Sequence, residues 1–230
     1  MILALDIGNS RLKWKLCAAA DVENKAIARG VFDAVEGVDS LLMQLRDFTP
    51  DKILIAEVGD VLGRLDLLKA LRQCFPKASV DVIHSERQCL SVTNSYDEPQ
   101  RLGVDRWLGV IEAWYHSGRR PVAVFDFGTA AKLDVVVQAK HLGGHIVPGL
   151  QMLRGSLQAN TQKVRFEAQH AMASGWGCST AAAVENGTWV MLQAWFAGEC
   201  EAFYRQFPAG KVYVAGGDAQ AILSGGVSVD

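Results

Sequence analysis

The chain has 230 residues, a formal net charge of −2 and a composition that is half hydrophobic. That length suits one large domain or two small ones around a substantial core, and the near-neutral charge excludes strong non-specific attraction to nucleic acid or an anionic membrane. The five cysteines, Cys17, Cys74, Cys89, Cys178 and Cys200, form no C-x-x-C pair, so free thiols in a reducing compartment are expected rather than a disulfide frame or structural zinc.

No apolar run approaches the roughly 20 residues of a membrane span, and the opening MILALDIGNS lacks the basic start of a secretory signal. The expectation is a cytoplasmic chain with no nucleic-acid or membrane partner. In chain order, Ile2 to Asp6 reads as a buried strand running into a Gly8-Asn9-Ser10 turn, and Arg11 to Leu16 as the returning hairpin strand. Helical spacing is expected over Ala34 to Asp47 and Leu62 to Cys74, with strands at Lys52 to Glu57 and Ser79 to Ile83. Gly103 to Tyr115 opens a central helix.

The pattern then restarts. Pro121 to Asp126 is an apolar strand running into Phe127-Gly128-Thr129, and Lys132 to Val137 is a returning strand. Asp6 and Asp126 thus stand half a chain apart in the same local setting: apolar strand, Asp-x-Gly turn, second strand. An internal repeat on this scale predicts two similar α/β lobes, roughly 1–117 and 118–230. Gly143 to Gly149 reads as a loop, Leu150 to Gln158 and Ser179 to Phe207 as helices, and Lys211 to Ala215 as a last strand ending in Gly216-Gly217-Asp218. The tail Ser224-Gly225-Gly226 carries no clear element.

An aspartate at a strand end followed by a glycine turn suits phosphate. Glycine lets the backbone bend and approach a ligand, and the turn presents N–H groups to phosphate oxygens. Asn9, Ser10 and Thr129 can add hydrogen bonds. The aspartate, Asp6 for example, can hold Mg²⁺ or its waters, and Mg²⁺ neutralises a triphosphate. One such turn is commonly only a turn; two at matching places point to a pair gripping ATP. Gly216 and Gly217 after an apolar strand allow the approach of a flat adenosine. Lys13 either reaches phosphate or is an exposed strand charge.

Asp6-Ile7-Gly8-Asn9-Ser10, Asp126-Phe127-Gly128-Thr129-Ala130 and Ala215-Gly216-Gly217 resemble the phosphate-1, phosphate-2 and adenosine motifs of the actin and sugar-kinase superfamily. With Gly103-Val104-Asp105-Arg106 and Gly143-Gly144-His145-Ile146-Val147-Pro148-Gly149, the set resembles the type III pantothenate kinases over nearly the whole chain. The resemblance implies two ribonuclease-H-like α/β lobes with the active site in the cleft, ATP and pantothenate as substrates, a homodimer, and use of Mg²⁺ and of a monovalent cation (K⁺ or NH₄⁺) at Asp126.

A kinase of this kind mainly positions its substrates, neutralises charge and offers a base. By residue type alone Asp105 suits a helix N-cap as well as a base; the resemblance makes it the catalytic base. Arg106 can grip a carboxylate with two hydrogen bonds or form a surface ion pair, and the resemblance makes it a pantothenate contact alongside Gly103 and Val104. Tyr96 and Thr180 match the substrate-binding tyrosine and threonine of the family, with core packing and helix capping as their ordinary alternatives. Among the histidines His145 alone stands in a motif, and a loop hydrogen bond is expected of it.

Two departures stand out. Ala131 and Lys132 follow the phosphate-2 turn where the family carries small hydroxyl residues, and a lysine there would repel the cation, replace it, or point away. Only Ala219 to Asp230 follow the adenosine motif, where the resemblance implies a further strand and helix. A nucleotide-binding regulatory protein on the same fold is therefore the alternative expectation.

Overall fold

A computed structural model describes residues 1–8, 11–19, 25–33, 37–58, 64–160 and 175–224. Compactness divides the chain differently from a single crossing near residue 117. Unit 1 comprises Met1–Glu86 and Glu98–Leu108, and unit 2 comprises Arg87–Asp97 and Gly109–Asp230.

Unit 1 is built on a five-stranded sheet in the order β3-β2-β1-β4-β5. β1 (Ile2–Ile7) pairs antiparallel with β2 (Arg11–Cys17), which pairs antiparallel with β3 (Ala26–Asp33). On its other side β1 runs parallel to β4 (Lys52–Glu57), and β4 runs parallel to β5 (Ser79–Ile83). Alternate residues of the central strands turn inward: Leu3, Leu5 and Ile7 from β1, and Leu12, Trp14 and Leu16 from β2. They form one core with Leu41 and Leu45 of α1 (Gly37–Leu45) and Leu67 and Leu71 of α2 (Arg64–Cys74).

Unit 2 has a six-stranded sheet ordered β11-β8-β9-β10-β7-β6. β8 (Val122–Phe127) pairs antiparallel with β9 (Ala130–Val137) and parallel with β11 (Lys211–Ala215), and β10 (Lys140–Pro148) lies antiparallel to β9. Two short strands, β6 (Gln88–Cys89) and β7 (Val92–Thr93), complete the edge. Phe125 and Phe127 of β8 and Leu133 of β9 face a core with Trp189, Leu192 and Phe196 of α5 (Thr180–Gln206). Val124 and Asp126, by strand alternation, lie on the other face. α4 (Leu150–Asn160) packs on α5, and α6 (Ala219–Leu223) follows β11.

The internal repeat is a repeat of topology. β1, β2, β3 and β4 of unit 1 correspond to β8, β9, β10 and β11 of unit 2, with the same pairing directions. The match reaches single hydrogen bonds: Val58 N–H, just after β4, donates to Ile7 O at 3.0 Å, and Asp218 N–H, just after β11, donates to Phe127 O at 3.0 Å. The segment Gly143 to Gly149, expected as a loop, lies almost wholly within β10; the short α6 ends just before Ser224, and Gly225 and Gly226 lie outside the described residues. α3 (Val104–His116) runs from unit 1 into unit 2.

Candidate active site

In unit 1, Asp6 is next to last in β1, on the face opposite Leu5 and Ile7, and faces Lys13 across the β1–β2 pair. Lys13 Nζ lies 3.8 Å from Asp6 Oδ2, and both side chains are about half exposed. Gly8 N–H donates to Arg11 O at 3.0 Å, closing the turn between the strands. Asn9 and Ser10, expected as phosphate ligands, lie outside the described residues.

Unit 2 repeats this with closer contacts. Asp126 faces Lys132 across the β8–β9 pair, and Lys132 Nζ donates to Asp126 Oδ2 at 2.9 Å. Gly128 N–H donates to Ala130 O at 3.2 Å, Thr129 is exposed, and Thr129 O accepts from Gly149 N–H at 3.1 Å. Gly216 follows β11 with a φ of +102°, and a Cβ there would fall inside the backbone of Phe127. Only glycine meets both demands. Its fit places the Gly216-Gly217 turn directly against the strand end that carries Asp126, and Ala215 is the register partner of Asp126.

The Gly103-Val104-Asp105-Arg106 segment forms the start of α3. Gly103 stands at the cap position, and Asp105 sits one residue inside the first turn. Its Oδ1 accepts the Arg106 N–H at 2.8 Å and lies 2.6 Å from where a Cβ on Gly103 would stand. Glycine before the helix therefore makes room for the aspartate. Val104 is buried, so its side chain is closed to a ligand. Leu102 O, just before the segment, accepts from the buried Ser85 Oγ at 2.7 Å.

Tyr96 lies on the loop after β7, with its ring stacked on that of His141 and its N–H donated to Asn94 Oδ1 at 3.0 Å. Thr180 is the exposed first residue of α5, while capping falls to Ser179, whose Oγ accepts from Ala182 N–H. His145 is hydrogen-bonded to Glu199 at 2.8 Å. The sequence reading missed Ser85, Arg87 and His141. None stands in a motif, and each acts on a residue distant in the chain or through backbone carbonyls.

A family model described as type III pantothenate kinase matches residues 2–202. This chain belongs to the type III pantothenate kinases. Among the relatives bearing that name, a protein of Ectopseudomonas mendocina is 34% identical over 230 residues, covering 96% of this chain and 90% of the relative. One from Marinomonas sp. is 36% identical over 234 residues, covering 97% and 86%. The crystal structure of a Campylobacter jejuni protein assigned to the Baf family superposes with a TM-score of 0.56 at 20% identity, covering 96% of this chain and 86% of that one, which shows the shared fold. The fold is mixed α/β with two sheets, and family membership brings the activity of a kinase that phosphorylates pantothenate with ATP.

The residues around Asp126 do not fit the monovalent cation that the resemblance implies. Its carboxylate is hydrogen-bonded to an ammonium that is itself four-fifths buried, so a cation there would meet a like charge at close range. Asp6, about half exposed near the end of β1, offers the carboxylate oxygens that Mg²⁺ or its waters take.

Proposed function

We propose that this chain transfers the γ-phosphoryl group of ATP to the primary hydroxyl of pantothenate, yielding 4′-phosphopantothenate and ADP at the first step of coenzyme A synthesis. One observation carries the site assignment: Gly216 packs onto the Phe127 backbone and joins the adenosine turn to the Asp126 strand end. In this reading the two units are the ribonuclease-H-like lobes. The first carries the phosphate-1 turn, with Asp6, Gly8, Asn9, Ser10 and Lys13 toward ATP. The second carries the phosphate-2 turn, with Gly128 and Thr129, and the adenosine turn at Gly216 and Gly217.

Asp105 is the base. It accepts the hydroxyl proton as the substrate oxygen bonds to the γ-phosphorus and the bond to the β-phosphate oxygen breaks. Arg106 grips the pantothenate carboxylate, and Tyr96, Gly103, Val104 through its backbone, and Thr180 hold the rest of the substrate. Mg²⁺, when bound with ATP, neutralises the phosphate charge, and Asp6 would hold it through water. Lys132 takes the place of the monovalent cation at Asp126.

The chain acts in the cytoplasm; no helix among the described residues is long and apolar enough to cross a membrane. It acts as a homodimer, a reading supported by exposed Met152 and Leu157 on α4 and Val190 and Met191 on α5.

The test is to incubate the protein with ATP, Mg²⁺ and pantothenate and follow ADP release and the phosphorylated product by mass. Pantothenate-dependent product is expected. Asp105→Asn should still bind ATP while kcat falls by roughly 10²- to 10⁴-fold, and near-normal turnover would remove Asp105 from the role of base. A folded protein that binds ATP and yields no product would favour the regulatory reading.

A further inference from the structure

Unit 2 holds a buried row of polar groups that phosphate binding does not use. His141 on β10 is 0% exposed. Its Nε2 lies 2.9 Å from Asp134 Oδ1 and its Nδ1 lies 3.1 Å from Ser95 Oγ. His141 pairs with Val136 of β9, so Asp134 is its diagonal neighbour on the same face. That face also carries Lys132, two residues before Asp134. A carboxylate only accepts hydrogen bonds, so Nε2 carries the ring proton, and in the neutral ring Nδ1 accepts from the Ser95 hydroxyl.

Serine, histidine and aspartate in a row are the components of a hydrolytic triad, but the connectivity is reversed. In that triad Nε2 faces the serine and Nδ1 the aspartate. Here the ring is also closed off from solvent, so no substrate can reach it. The row holds a loop instead.

That loop is Asn94 to Asp97. Its backbone is fixed by Arg87, whose Nη1 donates to Asn94 O at 3.3 Å and Tyr96 O at 2.7 Å and whose Nη2 donates to Asp97 O at 2.6 Å. Its side chains are fixed by His141, which bonds Ser95 and stacks on the Tyr96 ring at 6.2 Å between centroids and 22° between planes. Just before the loop, Thr93 N–H donates to Ala139 O at 2.8 Å, tying it to the turn that leads into β10.

We infer that His141, oriented by Asp134, is a positioning residue for pantothenate binding: it sets the Ser95 hydroxyl and the Tyr96 ring before substrate arrives. The inference rests on the assignment of Tyr96 to pantothenate made above. Pre-ordering a side chain lowers the cost of binding, so its loss falls on pantothenate affinity and leaves ATP affinity alone.

Steady-state kinetics with both substrates, together with calorimetric titration of pantothenate, test this on Ser95→Ala, Ser95→Thr, His141→Gln and Tyr96→Ala. Losing one neutral hydrogen bond should raise the pantothenate KM and Kd of Ser95→Ala by roughly two- to tenfold, with the ATP KM unchanged. Ser95→Thr keeps the hydroxyl and should retain wild-type values, while His141→Gln should lose at least as much as Ser95→Ala. If Tyr96→Ala weakens pantothenate but Ser95→Ala and His141→Gln do not, the inference is overturned and the substrate assignment stands. If Tyr96→Ala is also without effect, the assignment fails and the inference with it. A parallel rise in the ATP KM would reduce the row to ordinary packing. Should His141→Gln not fold, the Ser95 pair decides the matter alone.

Discussion

A lysine ammonium 2.9 Å from Asp126 changes what that aspartate can bind. A second monovalent cation beside it would face a like charge at close range, and two unit charges 4 Å apart near a protein surface repel by about 4 kcal/mol. Lys132 therefore supplies the positive charge that a bound ion would bring, with the advantage that it is tethered. The repeat carries the same pairing at Asp6 and Lys13, but at 3.8 Å and more exposed. The wild-type rate should be the same in K⁺, NH₄⁺ and Na⁺ buffers at equal ionic strength. Lys132→Thr should lower the rate in Na⁺ and recover part of it in K⁺ or NH₄⁺. A K⁺-stimulated wild type with an unchanged salt profile in the variant would place the ion elsewhere.

At the scale of elements, α4 and α5 are joined by a buried ion pair between Arg154 and Glu185. Arg154 Nε and Glu185 Oε1 have no hydrogen-bond partner among the described residues, so the pair's desolvation is incompletely offset. Glu185→Ala would strand the guanidinium and should cost about 3–5 kcal/mol, whereas replacing both partners by apolar residues should be near neutral; urea denaturation midpoints separate the two cases. Further along α5, burial and then the nearby Glu199 push the Cys200 thiol up to about 12 from 9.0. The folded state thus holds a proton that the unfolded chain releases. Cys200 stabilises the fold below pH about 9 and loses that contribution as pH rises toward about 12. Cys200→Ala should flatten this alkaline loss in melts taken across that range, and an unchanged pH profile would show that Cys200 ionises alike in both states.

Which elements the sequence revealed follows from the same physics. β1, β4 and β8 are short apolar runs closed by turn residues, and they were legible. β3 was not: it is an edge strand with Ile27 and Val31 turned to solvent, so its pattern lacks a clean buried face. β10 hides behind Gly143, Gly144 and Pro148, and its register shifts between His141 and Gly143. The two Asp-x-Gly turns were legible because the repeat marks them twice. Ser85, Arg87 and His141 were not, since their roles exist only once distant strands and loops meet, 46 residues apart in the case of His141 and Ser95.

Across the whole molecule, the repeat of strand order and turn means that one supersecondary solution is used twice, each copy with its own core. α4 and the long α5 of the second copy carry exposed apolar side chains on neighbouring helices: Met152 and Leu157 on one, Val190 and Met191 on the other, with Trp176 entirely exposed in the segment before α5. Single exposed apolar residues are ordinary, but several on two helices packed against each other are the mark of an interface. A second copy of the chain is the natural cover, because a two-fold contact lets the same helices meet themselves. Sedimentation equilibrium should therefore give twice the chain mass. A Met152→Arg and Met191→Arg double variant should give the monomer mass while its far-ultraviolet circular dichroism stays unchanged, since both side chains lie at the surface. A wild-type chain that sediments as a monomer at micromolar concentration would leave these residues to some other partner, and a dimer that survives both arginines would place the contact on a different face.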